Sequence, residues 1–186
     1  MSRDKYYKPD AFSLKAKKEG YLARSVYKLG EINLKYQILK PKQKVLDLGA
    51  FPGSWSQYSL KKVGEKGKVV GVDIQNIEHH LGKNYFFYHQ SILDENLDLS
   101  PFTPFDVIIS DMAPQTSGIK DKDVYESVQL SLMAIQMAQK HLKKEGVFIG
   151  KVFQGEDFDD FYKDFKKVFV KVKSFKPKAV RSNSKE

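Results

Sequence analysis

The chain has no cysteine, which excludes disulfides, thiolate metal sites, iron–sulfur clusters and cysteine nucleophiles outright. It also has no run approaching the ~18 apolar residues that a membrane-spanning helix needs. The opening Met-Ser-Arg-Asp-Lys-Tyr-Tyr-Lys-Pro lacks the apolar stretch of a secretory signal. Together these absences predict a soluble, cytoplasmic protein. Neither Gly-x-Gly-x-x-Gly nor a Gly-Lys-Ser/Thr phosphate loop occurs, so a dinucleotide or a nucleoside triphosphate is not the expected ligand. The four histidines, His79, His80, His89 and His141, show no metal-ligand spacing, and no metal is expected. Tryptophan occurs once, at Trp55.

What is present is charge, and it is divided unevenly. Residues 1–44 carry 12 lysines and arginines against 4 acids, residues 45–160 carry 11 against 17, and residues 161–186 carry 9 against 2. A basic excess confined to the two ends of a chain with formal charge +9 points to a polyanion-binding surface, with solvated ends as the plainer alternative. With 186 residues, 41% of them hydrophobic, the chain suits one core and is short for two. We expect residues 1–20 to form a basic arm, mobile or ordered by substrate, and residues 21–186 a single domain.

Strand and helix patterns alternate along that domain. A short helix is predicted over 24–36, then strands at Lys44–Leu48, Lys68–Ile74, Tyr85–His89, Phe105–Ser110 and Val147–Phe153, with a last strand at Phe169–Phe175. Between them fall helices at Ser54–Val63, Asp121–Leu142 and Glu156–Val168. In the long helix, Val124, Val128, Leu132, Ile135, Ala138 and Leu142 recur at steps of three and four on one face. This order predicts an α/β fold, a mostly parallel sheet with helices on both faces, whose ligand sits beyond the carboxyl ends of the strands.

The loops at those ends carry the motifs. Asp47-Leu48-Gly49-Ala50-Phe51-Pro52-Gly53-Ser54-Trp55 is a glycine-bearing turn into a helix, where Gly49 and Gly53 let the backbone approach a ligand. Asp73 ends the next strand, placed to accept both hydroxyls of a ribose. The combination suits a nucleoside without a pyrophosphate. S-adenosylmethionine is the common cofactor of that description, and Asp-x-Gly-x-x-Pro-Gly resembles the first motif of the Rossmann-like methyltransferases. Trp55 reads equally as core packing or as a cofactor contact. After the fourth strand comes Ser110-Asp111-Met112-Ala113-Pro114, unlike the Asn/Asp-Pro-Pro-aromatic of amino-group methyltransferases. Cytosine C5 chemistry lacks its cysteine. Hydroxyl methylation remains. Lys151, held between apolar residues in Gly150-Lys151-Val152-Phe153, suits a base because burial and a second cation favour the neutral amine. Lys28 is the candidate for that cation.

In order, Arg-Ser-Val-Tyr-Lys-Leu, Asp-Leu-Gly-Ala-Phe-Pro-Gly-Ser-Trp-Ser-Gln-Tyr, Ser-Asp-Met-Ala-Pro and Lys-Val-Phe-Gln-Gly-Glu make residues 21–186 similar to the FtsJ family of ribosomal RNA 2′-O-ribose methyltransferases. The resemblance implies a Rossmann-like methyltransferase sheet and places the family's active-site tetrad on Lys28, Asp111, Lys151 and Glu186. It implies that Lys151 takes the 2′-hydroxyl proton, that Asp111 and Lys28 orient and tune it, and that Glu186 supports the arrangement. Gly53, Trp55, Asp73 and Asp111 resemble family cofactor contacts. Where the family places an acid near the adenine this chain has Gln90-Ser91-Ile92, so Ser91 or its backbone substitutes, with Asp94 three residues on. The implied substrate is a uridine in the aminoacyl-site loop of 23S ribosomal RNA, in assembled 50S particles, with a monomeric enzyme. A transfer RNA anticodon loop as substrate, or a cofactor-binding assembly factor without turnover, are the competing readings.

Overall fold

Strands enclosed on both faces need apolar side chains at consecutive positions, and the apolar runs of this chain form such a sheet. In a computed structural model describing residues 10–115, 117–155 and 158–180, β1 (Lys44–Leu48), β2 (Lys68–Asp73), β3 (Tyr85–His89), β4 (Phe105–Ser110) and β5 (Leu142–Gly150) pair in the order β3-β2-β1-β4-β5. Every pairing is parallel. The helices are α1 (Ala11–Lys18), α2 (Val26–Tyr36), α3 (Ser54–Val63), α4 (Lys120–His141) and α5 (Phe158–Val168).

Alternate residues divide the core into two layers. Val45, Val69, Val107 and Ile109 pack with Leu29 of α2 and with Trp55 and Val63 of α3. Leu46, Leu48, Val70, Val72 and Ile108 pack on the other face with Ala134 and Ala138 of α4. Each fully buried aliphatic side chain contributes roughly 1.5–3 kcal/mol, so both helical layers are held firmly to one plane. The chain leaves β1 toward β2 on one side and returns through β4 toward β5 on the other, which opens a crevice at the carboxyl ends of β1 and β4.

Four departures from the sequence reading have physical causes. Within the expected arm, residues 11–18 are helical: the Asp10 carboxylate caps α1 by accepting the Phe12 and Ser13 N–H groups at 3.0 and 3.1 Å, and Ala16 is buried. A helix this short does not persist alone; it is docked by the Phe12 ring, 5.5 Å from that of Tyr27, and by an ion pair from Arg24 to Asp10. Residues 1–9 lie outside the described part. The strand expected at Val147–Phe153 begins earlier, directly after α4, and ends at Gly150. Phe169–Phe175 is no strand, because its rings bury themselves without ladder bonds: Phe169 stacks 5.6 Å from Phe148 and Phe175 meets Tyr36 edge-on at 6.0 Å. Finally, the most buried stripe of α4 runs through Val124, Ser127, Ser131, Ala134, Ile135 and Ala138, with Val128 and Leu132 on its flank.

Candidate active site

The loop after β1 is shaped by its glycines. Gly49 has φ +73° and Gly53 φ +111°, values that L side chains rarely adopt. A β-carbon on Gly49 would lie 2.4 Å from Cγ of Met112, and one on Gly53 3.0 Å from Cδ1 of Leu22. Gly49 therefore makes room first for the residue that follows Asp111, a function that spacing alone did not suggest. At the end of β2, Asp73 accepts the Phe51 N–H at 2.8 Å and the Gln75 N–H at 2.7 Å. Each carboxylate oxygen keeps a further lone pair for a ligand hydroxyl. Ser91 follows β3 and turns the chain, its hydroxyl accepting the Leu93 N–H at 3.1 Å. The nearby Asp94 carboxylate is taken by its own turn, accepting from the backbone and side chain of Asn96 and from Gln90, and these bonds hold it below the ordinary carboxylate range.

Of the two roles open to Trp55 the structure shows core packing: it is 5% exposed between α2 and α3, at the edge of the groove that contains Lys28, Asp111 and Lys151. Its indole N–H donates to the Ser25 carbonyl at 2.8 Å, which ties α3 to the start of α2.

Register brings the acidic and basic groups together. Ser110 of β4 pairs with Gly150 of β5, so Asp111 and Lys151, the next residue of each strand, emerge side by side. Lys151 Nζ donates to the Asp111 carbonyl at 2.5 Å and lies 3.0 Å from Asp111 Oδ1. Lys28 Nζ approaches the same oxygen at 3.8 Å. The Lys28, Asp111 and Lys151 side chains are 15, 17 and 10% exposed. Lys28 stands in the first turn of α2, where the helix dipole disfavours a cation by roughly 0.3–1 kcal/mol, and the shared carboxylate offsets that cost. Glu186 lies outside the described residues.

Three side chains near the cluster were given no role of their own by the sequence reading. Asp47 is fully buried; its Oδ2 accepts the Ser56 hydroxyl at 2.7 Å, while Oδ1 has no hydrogen-bond partner. Burial, together with the charges of Asp111 and Asp73, pushes its carboxyl up to about 7. The other two are serines of α4. Ser131 Oγ donates to the Lys151 carbonyl at 2.8 Å, and Ser127 Oγ accepts the Phe153 N–H at 2.9 Å. The Lys151 N–H still donates to the Ser110 carbonyl at 3.0 Å, and the two serines take over from there, bracing the backbone that follows Lys151. A hydroxyl on the apolar face of an amphipathic helix was the available signal.

The donor set tests which cofactor fits. Asp47, Asp73 and Asp111 lie around a loop held open by two left-handed glycines, and one buried Asp47 oxygen has no hydrogen-bond partner. That suits a positively charged nucleoside and disfavours a pyrophosphate. Among the described residues no group of His, Cys, Asp or Glu is arranged to hold a metal ion, and no helix is long and apolar enough to cross a membrane.

A parallel sheet of this order, with a glycine loop after β1 and an acid ending β2, is that of the Rossmann-like folds, and without Gly-x-Gly-x-x-Gly it fits their methyltransferase branch. The model of the FtsJ-like methyltransferase family matches residues 21–186, and the chain belongs to that family. It is 45% identical over 97% of its length to the ribosomal RNA large subunit methyltransferase E of Bdellovibrio bacteriovorus, covering 94% of that protein. The enzyme of the same name from Syntrophobacter fumaroxidans is 46% identical over 95% of this chain and 91% of its own. Among solved structures, one from Plasmodium falciparum, assigned as a ribosomal RNA methyltransferase, superposes with TM-score 0.75 at 27% identity, over 86% of this chain and 93% of that one. Aeropyrum pernix fibrillarin, solved with S-adenosylmethionine bound, shares the fold at TM-score 0.56 and 14% identity, over 77% of this chain and 63% of its own.

Proposed function

We propose that this methyltransferase uses S-adenosylmethionine to methylate a ribose 2′-hydroxyl of large-subunit ribosomal RNA, a uridine of the aminoacyl-site loop in the assembled 50S particle. The observation that carries this reading is the Lys151–Asp111–Lys28 cluster at the same end of the sheet as the Gly49–Gly53 loop. The names of the relatives support the choice of RNA.

When bound, S-adenosylmethionine supplies an electrophilic methyl carbon on a sulfonium. Asp73 would take the ribose hydroxyls of the cofactor, Ser91 the edge of its adenine, and the Gly49–Gly53 loop its amino-acid end, with Trp55 and Asp111 bounding the reacting face. Lys151 accepts the 2′-hydroxyl proton at Nζ. Asp111 Oδ1, 3.0 Å away, stabilises the ammonium that forms. Lys28 holds the carboxylate from its other side, and Glu186 is the fourth member by resemblance. Proton removal by a positioned base accounts for about 10²–10⁴-fold in rate, and alignment supplies more. No step requires a metal.

Exposed Lys15, Lys17 and Lys18 of α1 and the lysines of residues 171–178 supply the RNA-facing charge. Binding to RNA therefore weakens as salt rises, by counterion release. With RNA as the partner surface the enzyme works as a cytoplasmic monomer.

The test is to incubate the protein with labelled S-adenosylmethionine and 50S subunits lacking the modification, then to map the product. A single 2′-O-methylated nucleotide in 23S RNA is expected. Label on transfer RNA alone, on a base, or on nothing would refute the reading, the last outcome favouring an assembly factor without turnover.

A further inference from the structure

Residues 177–180 are gripped by two charged side chains that the reaction scheme does not use. Glu31 of α2 accepts the Lys178 N–H on Oε2 at 2.7 Å and the Ala179 N–H on Oε1 at 2.9 Å. Arg24, in the turn leading into α2, donates from Nη2 to the Ala179 carbonyl at 2.6 Å and pairs through Nη1 with Asp10, the cap of α1. Both backbone groups of Ala179 thus end on charged partners, and the residue is 1% exposed. Charge-assisted bonds of this kind are stronger than neutral ones, and a bipartite grip is more than incidental docking requires.

The grip is centred on the active site. Lys28 and Glu31, at i and i+3, are neighbours on one face of α2, and Arg24 stands in the turn just ahead of that helix, so Lys28 lies along the chain between the two residues that hold Ala179. Pro177 and Val180 line the same groove as Lys28, Asp111 and Lys151. Glu31 is moreover one of only 4 acids among the first 44 residues, a stretch whose charge otherwise serves RNA.

We infer that Glu31 and Arg24 are positioning residues that clamp residues 177–180 over Lys28, walling the groove so that the Lys28–Asp111 pair keeps its geometry and its shelter from water. The inference deepens the function proposed above and rests on it. Neither residue touches the reacting atoms; both act through the held segment.

The test uses the full chain and four measurements: amide hydrogen exchange at Lys178 and Ala179, S-adenosylmethionine affinity, kcat on 50S subunits, and the pH profile of kcat. In Glu31→Ala, exchange at the two amides should rise about a hundredfold, as local opening becomes easy. Cofactor affinity should stay within about twofold, and kcat should fall about tenfold, the scale of a small misplacement. The pH profile should move as the lysine pair becomes hydrated. Glu31→Gln keeps one acceptor oxygen and should restore part of the rate. Ala179→Pro deletes a donor from the opposite side and should reproduce the loss; it also decides the matter if Glu31→Ala fails to bind cofactor. Faster exchange with kcat and pH profile unchanged would mean that the segment is merely docked, and would overturn the inference while leaving the function standing. A rate loss without faster exchange overturns it too. If the wild-type chain methylates no ribose, the function falls first and the clamp with it.

Discussion

The two halves of the crevice are built by different means. On the β1–β2 side the proposed cofactor contacts belong to one short loop and one acid beside it: two left-handed glycines, and Asp73 at the end of the neighbouring strand, held by the Phe51 N–H. On the β4–β5 side the proposed chemistry belongs to side chains from three distant places, Lys28, Asp111 and Lys151, braced by hydroxyls from α4. The first half is a shape and the second an electrostatic assembly. Lesions in the first should therefore change affinity, and lesions in the second should change rate.

Lys151→Ala offers the sharpest test of that division. We expect kcat to fall at least about a thousandfold, about 4 kcal/mol of barrier, while equilibrium dialysis finds cofactor affinity within about threefold. A comparable loss of affinity would abolish the distinction. Next comes Asp47, whose carboxyl sits at about 7 against an ordinary 3.8. Below about pH 4 both the folded and the unfolded chain hold this proton and burial costs nothing. Between there and pH 7 the unfolded chain ionises while the folded one does not, so stability falls as pH rises through this window and then levels off. Asp47→Asn removes the effect. Urea melts should show the variant gaining on wild type by up to about 4 kcal/mol between pH 4 and pH 8, and a constant difference would contradict the buried-carboxylate account. Asp73→Ala should weaken cofactor binding by about 10- to 100-fold, the loss of charge-assisted bonds, with kcat at saturating cofactor nearly intact. The smallest effect is expected at Ser131→Ala. Freeing the Lys151 carbonyl should cost about 1 kcal/mol of stability and lower kcat a few-fold, again without touching cofactor affinity.

The same division explains what could be read from the sequence. The cofactor half lies in one continuous motif plus one acid, and apolar runs buried on both faces announce the strands around it. Lys28, Asp111 and Lys151 are 83 and 40 residues apart in turn, and no spacing rule brings them together; lysine chemistry suggested Lys151 with Lys28, and the family resemblance added Asp111 to the set. Their juxtaposition follows from the pairing of Ser110 with Gly150, a register visible only in the fold. Periodicity misplaced the centre of the α4 stripe because it credits large apolar residues, whereas here serines occupy the buried line for the bonds they make. The α1 helix was legible after all: Asp10 ahead of Ala-Phe-Ser-Leu is a good capping residue, passed over because lysine density read as disorder. Lysine density also hid the clamp on Ala179, since Glu31 and Arg24 find their partner about 150 residues away.

The contact between Gly49 and Met112 has a consequence for how the site tolerates change. The side chain next to the acid that two lysines share occupies the volume a β-carbon at position 49 would need. Even a methyl group added at Gly49 would press on Met112 and, through it, on the neighbouring Asp111. The glycine turn and the Lys28–Asp111–Lys151 cluster are thus coupled through one methionine, and neither can be remodelled without moving its neighbour.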